Sequence, residues 1–262
     1  MRRKLAIVNQ KGGVGKSTTA VNLGACLAER DKNVILIDVD PQGNATSGLG
    51  FEKNKLEYSI YDILIGDEDN EDKIAFSEVI KETEIDNFKV LPANIDLAGA
   101  EIELVSMISR ESRLKKIVNN IKEDYDFILF DCPPSLGLLT LNALTAADGI
   151  LVPIQCEYYA LEGLGQLIKT INLVQRNLNP ELEIAGVLLT MYDARTNLSQ
   201  QVIDEVKNYF GEKVYKTIIP RNVRLSEAPS FGQAIITYDS NSKGAKAYRA
   251  LAEEMLSGEV RI

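Results

Sequence analysis

The chain has 262 residues, 45% of them hydrophobic and 26% charged, values of an ordinary globular protein that exclude a disordered, collagenous or fibrous chain. Its formal net charge of −9 argues against a protein that coats nucleic acid by bulk charge, although a local basic patch remains compatible with it. Histidine is absent, which removes imidazole acid–base catalysis and most zinc chemistry, so any such work falls to carboxylates, lysines, arginines or backbone amides.

In chain order, short Val/Ile/Leu-rich runs predict strands at Lys4–Asn9, Val34–Asp38, Lys89–Pro92, Phe127–Asp131, Gly149–Pro153, Ile184–Thr190 and Val214–Ile219. Between and after them, helical periodicity predicts helices at Ser17–Ala28, Arg113–Lys122, Leu138–Ala147, Leu161–Asn177, Leu198–Phe210 and Lys243–Leu256. Near-continuous apolar strands alternating with amphipathic helices imply an α/β fold, a mostly parallel twisted sheet covered by helices on both faces. No Gly/Ser- or Pro-rich linker divides the chain, so one domain over 1–262 is expected. Residues 52–86 carry twelve carboxylates and four lysines, nearly the whole net charge, and read as a solvated, weakly ordered surface segment.

The three cysteines, Cys26, Cys132 and Cys156, are far apart without CxxC spacing, so reduced thiols are expected. The apolar run after the basic start is too short for a secretion signal, and no stretch of about 18 apolar residues could span a membrane. A cytoplasmic location is the expectation.

Residues 10–18 read Gln-Lys-Gly-Gly-Val-Gly-Lys-Ser-Thr, directly after one predicted strand and before a helix. A glycine-rich turn there leaves successive backbone N–H groups free to surround phosphate oxygens, at the positive end of the helix. Lys16 is placed to reach the β/γ-phosphates, and the Ser17 hydroxyl to ligate Mg²⁺. Gln10 stands where an ordinary Walker loop has glycine, and Lys11 is an additional cation inside the loop. Because Lys16 already serves the chain's own nucleotide, Lys11 is a candidate to reach a partner's phosphates across a dimer interface.

Two predicted strands end in aspartate, at Val34-Ile-Leu-Ile-Asp38 and Phe127-Ile-Leu-Phe-Asp131, and the first is followed by Val39-Asp40. Ligands of an open α/β sheet sit beyond the carboxyl ends of its strands, which brings these acids to the phosphate loop. Asp131 fits a Walker B carboxylate that holds Mg²⁺ directly or through water. Asp38 reads as an acid behind it and Asp40 as the group orienting the attacking water, with the last two roles interchangeable on sequence.

The motifs Lys11-Gly12-Gly13-Val14-Gly15-Lys16-Ser17, Asp38-Val39-Asp40-Pro41-Gln42-Gly43-Asn44 and Asp131-Cys132-Pro133-Pro134-Ser135 resemble those of the deviant Walker ATPases of the ParA/MinD superfamily. The stretches from Gln155 to Gly163 and from Ile219 to Pro229 are similar to the chromosomal ParA, or Soj, branch, and the likeness runs from about residue 4 to residue 256. That resemblance implies a P-loop ATPase using ATP and Mg²⁺, with Lys11, Lys16 and Asp40 as catalytic groups. It implies nucleotide contacts from Lys11, Gly12, Gly13, Val14, Gly15, Lys16, Ser17 and Thr18, and an adenine seat at Pro220 and Asn222. Ser17, Asp38 and Asp131 then serve the metal, and Arg195 and Arg224 bind duplex DNA non-specifically.

The same resemblance implies an ATP-dependent homodimer and a ParB-type partner protein. Its setting would be chromosome segregation at the nucleoid, with regulation of replication initiation beside it. The alternative is a MinD-like positioning ATPase on a membrane, which requires a free amphipathic C-terminal helix, whereas Ala245–Leu256 is rich in alanine and reads as a core-packing helix. An iron–sulfur carrier lacks a second suitably spaced cysteine beside Cys132. A kinase or synthetase would leave Lys11 without a role.

Overall fold

The structure, a computed structural model, describes residues 2–66, 74–157 and 164–258. Its strands are β1 (Arg3–Ile7), β2 (Val34–Asp38), β3 (Lys81–Glu82), β4 (Phe88–Leu91), β5 (Phe127–Asp131), β6 (Gly149–Gln155), β7 (Glu183–Tyr192) and β8 (Val214–Pro220). They form one sheet in the order β3-β4-β2-β5-β1-β6-β7-β8. Every neighbouring pair is parallel except β3 and β4, which run antiparallel. The helices are α1 (Lys16–Ala28), α2 (Asn44–Gly48), α3 (Ile60–Ile65), α4 (Phe76–Val79), α5 (Leu97–Glu103) and α6 (Arg113–Asn119), followed by α7 (Leu138–Ala146), α8 (Leu164–Asn177), α9 (Asn197–Phe210), α10 (Val223–Glu227), α11 (Ile235–Tyr238) and α12 (Lys243–Ser257).

The strand alternation sorts the core into two layers, as the period-2 side-chain rule requires. Ile35, Ile37, Ile128 and Phe130 point into one, together with α3, α5, α6, α7, α8 and α9. Val34, Leu36, Phe127 and Leu129 point into the other, with α1, α2, α10, α11 and α12. Both faces of the sheet are thus covered and its central strands are buried throughout, which is why they read as unbroken apolar runs.

The predicted strands and helices are present, with ends displaced by a few residues; residues 161–163, at the start of the expected fourth helix, lie outside the described residues. One expectation is corrected. Residues 52–86 are not simply a solvated surface segment, because Ile60, Leu64 and Val79 are fully buried in the core. Ser59 caps α3 in a capping box with Asp62, whose carboxylate accepts from the Ser59 backbone N–H at 2.7 Å. The carboxylates hid this helix because its apolar face spans less than two turns between charged flanks. Residues 67–73 lie outside the described residues.

At the open edge of the sheet, the buried Glu254 of α12 takes over part of the missing ladder. Its carboxylate oxygens accept the backbone N–H groups of Lys216 at 2.7 Å and Thr217 at 2.9 Å, both on β8. Glu254→Ala would leave those two donors unpaired beneath the helix and is expected to cost about 2 kcal/mol, read as a lower denaturant midpoint at unchanged m-value. Glu254→Gln, which retains an acceptor, is expected to lose less.

Candidate nucleotide-binding site

The carboxyl ends of β1, β2 and β5 meet at one point, since Ile7, Asp38 and Asp131 are register partners across the three strands. From there the loop 8–15 runs into α1. Gly13 at φ +73° and Gly15 at φ +90° hold the left-handed conformation that a side chain would resist, and Gly15 is the N-cap of α1, with no side-chain cap. The loop is braced from outside. Asn9 donates to the Pro153 carbonyl at 2.7 Å and accepts from the Lys11 N–H at 3.0 Å. The Thr190 hydroxyl donates to the Val14 carbonyl at 2.9 Å, tying the loop to the end of β7.

Beside the loop lies a cavity of about 480 Å³, lined among others by Gly12, Gly13, Lys16, Ser17, Asp40 and Gln233. A second cavity of about 420 Å³ adjoins it, lined among others by Ile219, Pro220, Asn222 and Leu225. Gly15, Thr18, Met191 and Pro229 belong to both. The first has the amide-rich wall and the cation that a phosphate chain needs. The second has the apolar lining that suits a base. Asn222 lines it with its side-chain oxygen accepting the Arg224 N–H at 2.8 Å, capping α10.

Lys16 is buried, and its ammonium donates to the Lys11 carbonyl at 3.2 Å. Burial lowers its pKa, opposed by the nearby charges of Asp131 and Asp40. Lys11 has a different placement: it is half-buried, does not line the phosphate cavity, and its ammonium has no partner among the described residues.

The three acids are not equivalent. Asp38 is completely buried, and its oxygens accept from the Thr46 N–H at 2.8 Å, the Thr46 hydroxyl at 2.7 Å and the Asp40 N–H at 3.2 Å. Burial nevertheless pushes its carboxyl up to about 6, against the pull of the Thr46 hydrogen bonds. Asp40 lines the cavity, with one oxygen accepting the Gln42 N–H at 2.9 Å. Asp131 is completely buried, and neither of its carboxylate oxygens has a hydrogen-bond partner. Burial, and then the charge of Asp38, hold it well above the ordinary carboxylate range, while Ser17 and Lys16 pull the other way. A buried acid with two orphaned oxygens beside a serine hydroxyl at a phosphate cavity fits a magnesium ion that takes its remaining ligands from phosphate and water. Among the described residues no group of three or more acidic or thiol side chains is placed to hold a metal ion.

Arg195 and Arg224, the two arginines expected at DNA, are exposed and line neither cavity. Arg195 makes a bidentate pair with Asp193, at 2.8 and 2.6 Å. Arg224 pairs with Glu227 at 2.8 Å. The site residues that sequence reasoning missed are Thr46, Thr190, Met191, Pro229 and Gln233. The strand-end rule that found Asp38 and Asp131 points equally to Thr190, the last residue of the predicted strand, and Pro229 closes a stretch that carries the family resemblance; Met191 and Gln233 carry no such signal.

A parallel sheet with this loop at its carboxyl edge defines a P-loop nucleotide-binding protein. A family model described as an AAA domain matches residues 2–184. The sporulation initiation inhibitor protein Soj of Bacillus subtilis is 63% identical over 255 residues, 97% of this chain and 98% of its own length. The chromosome partitioning protein ParA of Myxococcus xanthus is 52% identical, over 97% of this chain and 88% of its own. Among solved structures, the chain resembles a cobyrinic acid a,c-diamide synthase from Mycobacterium smegmatis with bound ATP analogue and magnesium, at 41% identity and TM-score 0.85 over 98% of this chain and 96% of that one. The chain belongs to the ParA/Soj family of chromosome-partitioning ATPases, in the ParA/MinD superfamily. It is an ATPase with a role in partitioning. No helix among the described residues is long and apolar enough to cross a membrane.

Proposed function

We propose that this chain is a Mg²⁺-dependent ATPase that closes into an ATP sandwich dimer, binds duplex DNA non-specifically in that state, and works with a ParB-type partner in chromosome segregation. The observation that carries the reading is the split between the two loop lysines. Lys16 is buried inside its own phosphate cavity, whereas the Lys11 ammonium stands outside it without a partner among the described residues, available to a second subunit's phosphates. In α5 and the residues after it, Ile102 at 78%, Val105 at 58% and Ile108 at 90% are exposed, apolar surface that a dimer would cover.

Within the site, Gly12 to Thr18 hold the phosphates, and Pro220 and Asn222 seat the base. Asp131 and Ser17 would hold magnesium, which supplies charge neutralisation at the β- and γ-oxygens when bound. Asp38, its oxygens committed to Thr46 and to the Asp40 backbone, positions the Asp40 loop. Asp40 orients the attacking water, because it alone of the three acids lines the cavity. Turnover in the isolated chain is expected to be slow, since catalysis rests on positioning and on charge that the partner subunit supplies.

Arg195 and Arg224 are already engaged with Asp193 and Glu227, so a DNA phosphate competes with a carboxylate at each. Binding by one subunit is therefore weak, and doubling the contacts in a dimer makes it useful. Asp40→Ala protein tests this with random-sequence duplex, in ATP, in ADP and without nucleotide, over a salt series. Binding in ATP alone, falling steeply with salt, is expected. Replacing both arginines with alanine should then flatten the salt slope by about 2 per subunit. A dimer that ignores DNA in every nucleotide would sink this reading.

The MinD-like alternative needs a C-terminal helix free to lie on lipid. In α12, Tyr248, Leu251, Ala252 and Met255 are instead buried in the core. The synthase reading carried by the M. smegmatis name predicts ATP consumption that depends on an acid acceptor and is indifferent to DNA. Regulation of replication initiation rests on the family resemblance alone, and the nucleoid location is that of the ATP-bound dimer.

A further inference from the structure

Among the described residues, four other than glycine have positive φ: Asp31, Asn87, Ser109 and Met191. The first three are short polar residues of the kind that tolerates a left-handed turn. Met191 is long, apolar and unbranched, and it holds φ +53° at the end of β7. The β7–β8 register breaks there, between Leu189, paired with Ile218, and Tyr192, paired with Pro220. A bulge with a left-handed residue re-aims a side chain at the expense of local strain, and such strain persists where the surroundings fix it. The surroundings do so here: Thr190 is bonded to the phosphate loop at Val14, and the Arg221 N–H donates to the Tyr192 carbonyl at 2.9 Å. The re-aimed side chain lines both cavities, and its terminal methyl lies 4.0 Å from where a Cβ on Gly15 would stand.

We propose that Met191 is a nucleotide-positioning residue, held in a strained backbone so that its thioether covers the seam between the phosphate and base cavities and packs on the sugar of the bound nucleotide. The inference rests on the nucleotide-site reading above and adds to it a wall that no polar contact supplies. A flexible, polarisable side chain suits that place, since it can follow a sugar without demanding a hydrogen bond. The Met191 wall acts on nucleosides and leaves the phosphate chain to the loop.

The test compares Met191→Gly, Met191→Ala and Met191→Leu by calorimetric titration with Mg·ADP and with magnesium tripolyphosphate, and by thermal melting without ligand. The glycine and alanine variants remove the same wall but differ in tolerance of positive φ, so the glycine variant should melt higher than the alanine variant. Both should bind ADP about tenfold more weakly, the scale of a lost apolar contact in a pocket, while tripolyphosphate affinity stays at the wild-type value. Met191→Leu should keep most of the ADP affinity. Unchanged ADP binding in both truncations would overturn the proposal, as would an equal loss of tripolyphosphate, which would mean a disturbed loop. Failure of the wild-type chain to bind either ligand would sink the nucleotide-site reading beneath it.

Discussion

Lys16→Ala is expected to lower ATP affinity by at least about 100-fold and to abolish hydrolysis, whereas Asp40→Ala should bind ATP nearly as well as the wild type and lose hydrolysis alone, by about 100-fold or more. The difference follows from placement. Lys16 is the cation inside the phosphate cavity; burial works against its charge, and the fields of Asp131 and Asp40 favour it. Without nucleotide its ammonium is parked on the Lys11 carbonyl, a neutral acceptor that a phosphate oxygen readily replaces. Removing it takes away ground-state and transition-state contacts together, so binding and rate fall together. Asp40 offers a carboxylate to the same cavity while one of its oxygens is turned back to the Gln42 N–H, and an anion beside a triphosphate contributes nothing to holding it. Nucleotide titration and single-turnover hydrolysis of the two variants separate the roles. Equal loss of ATP binding in both would end the division between them.

The sheet was legible because its central strands are buried on both faces. Val34–Asp38 and Phe127–Asp131 show no polar interruption, and their boundaries agree with the expectation to the residue. The phosphate loop was legible because its chemistry demands glycines and a lysine at fixed offsets within nine consecutive residues. Less legible were elements whose reason to exist lies elsewhere in the chain. The two-residue β3 exists only through its pairing with β4. Helix α3 is six residues long and is fixed by the cap at Ser59 and by burial of Ile60 and Leu64. The site divides along the same line: Lys16, Ser17 and Asp40 announce themselves by type and spacing. By contrast, Met191 is an unremarkable apolar residue in sequence, and its importance lies in a backbone angle. Thr46 likewise becomes informative only when Asp38 is seen to spend both oxygens on it and on Asp40.

Asp131→Asn is expected to leave the nucleotide-free protein close to wild-type stability while removing the magnesium dependence of nucleotide binding. In the absence of metal, burial holds the Asp131 carboxyl well above the ordinary range, which favours its protonated form, and a neutral amide of the same shape imitates that form. The sign of the pH dependence follows. Asp38, pushed up to about 6, and Asp131 both bind a proton more tightly folded than unfolded. The stability they contribute is complete below their unfolded values near pH 4; it is lost as pH rises through about 6 for Asp38, and the upward shift of Asp131 acts in the same direction. A divalent cation at the two orphaned oxygens favours the charged form of Asp131 and reverses its part of that loss. The rise in melting temperature on adding Mg·ADP should therefore be larger at pH 8 than at pH 5.5, and EDTA should remove most of it. In Asp131→Asn the shift with ADP should be small, equal with and without EDTA, and flat across that pH range. A variant that kept the wild-type magnesium response would move the metal away from Asp131, and the orphaned carboxylate would then need another ligand.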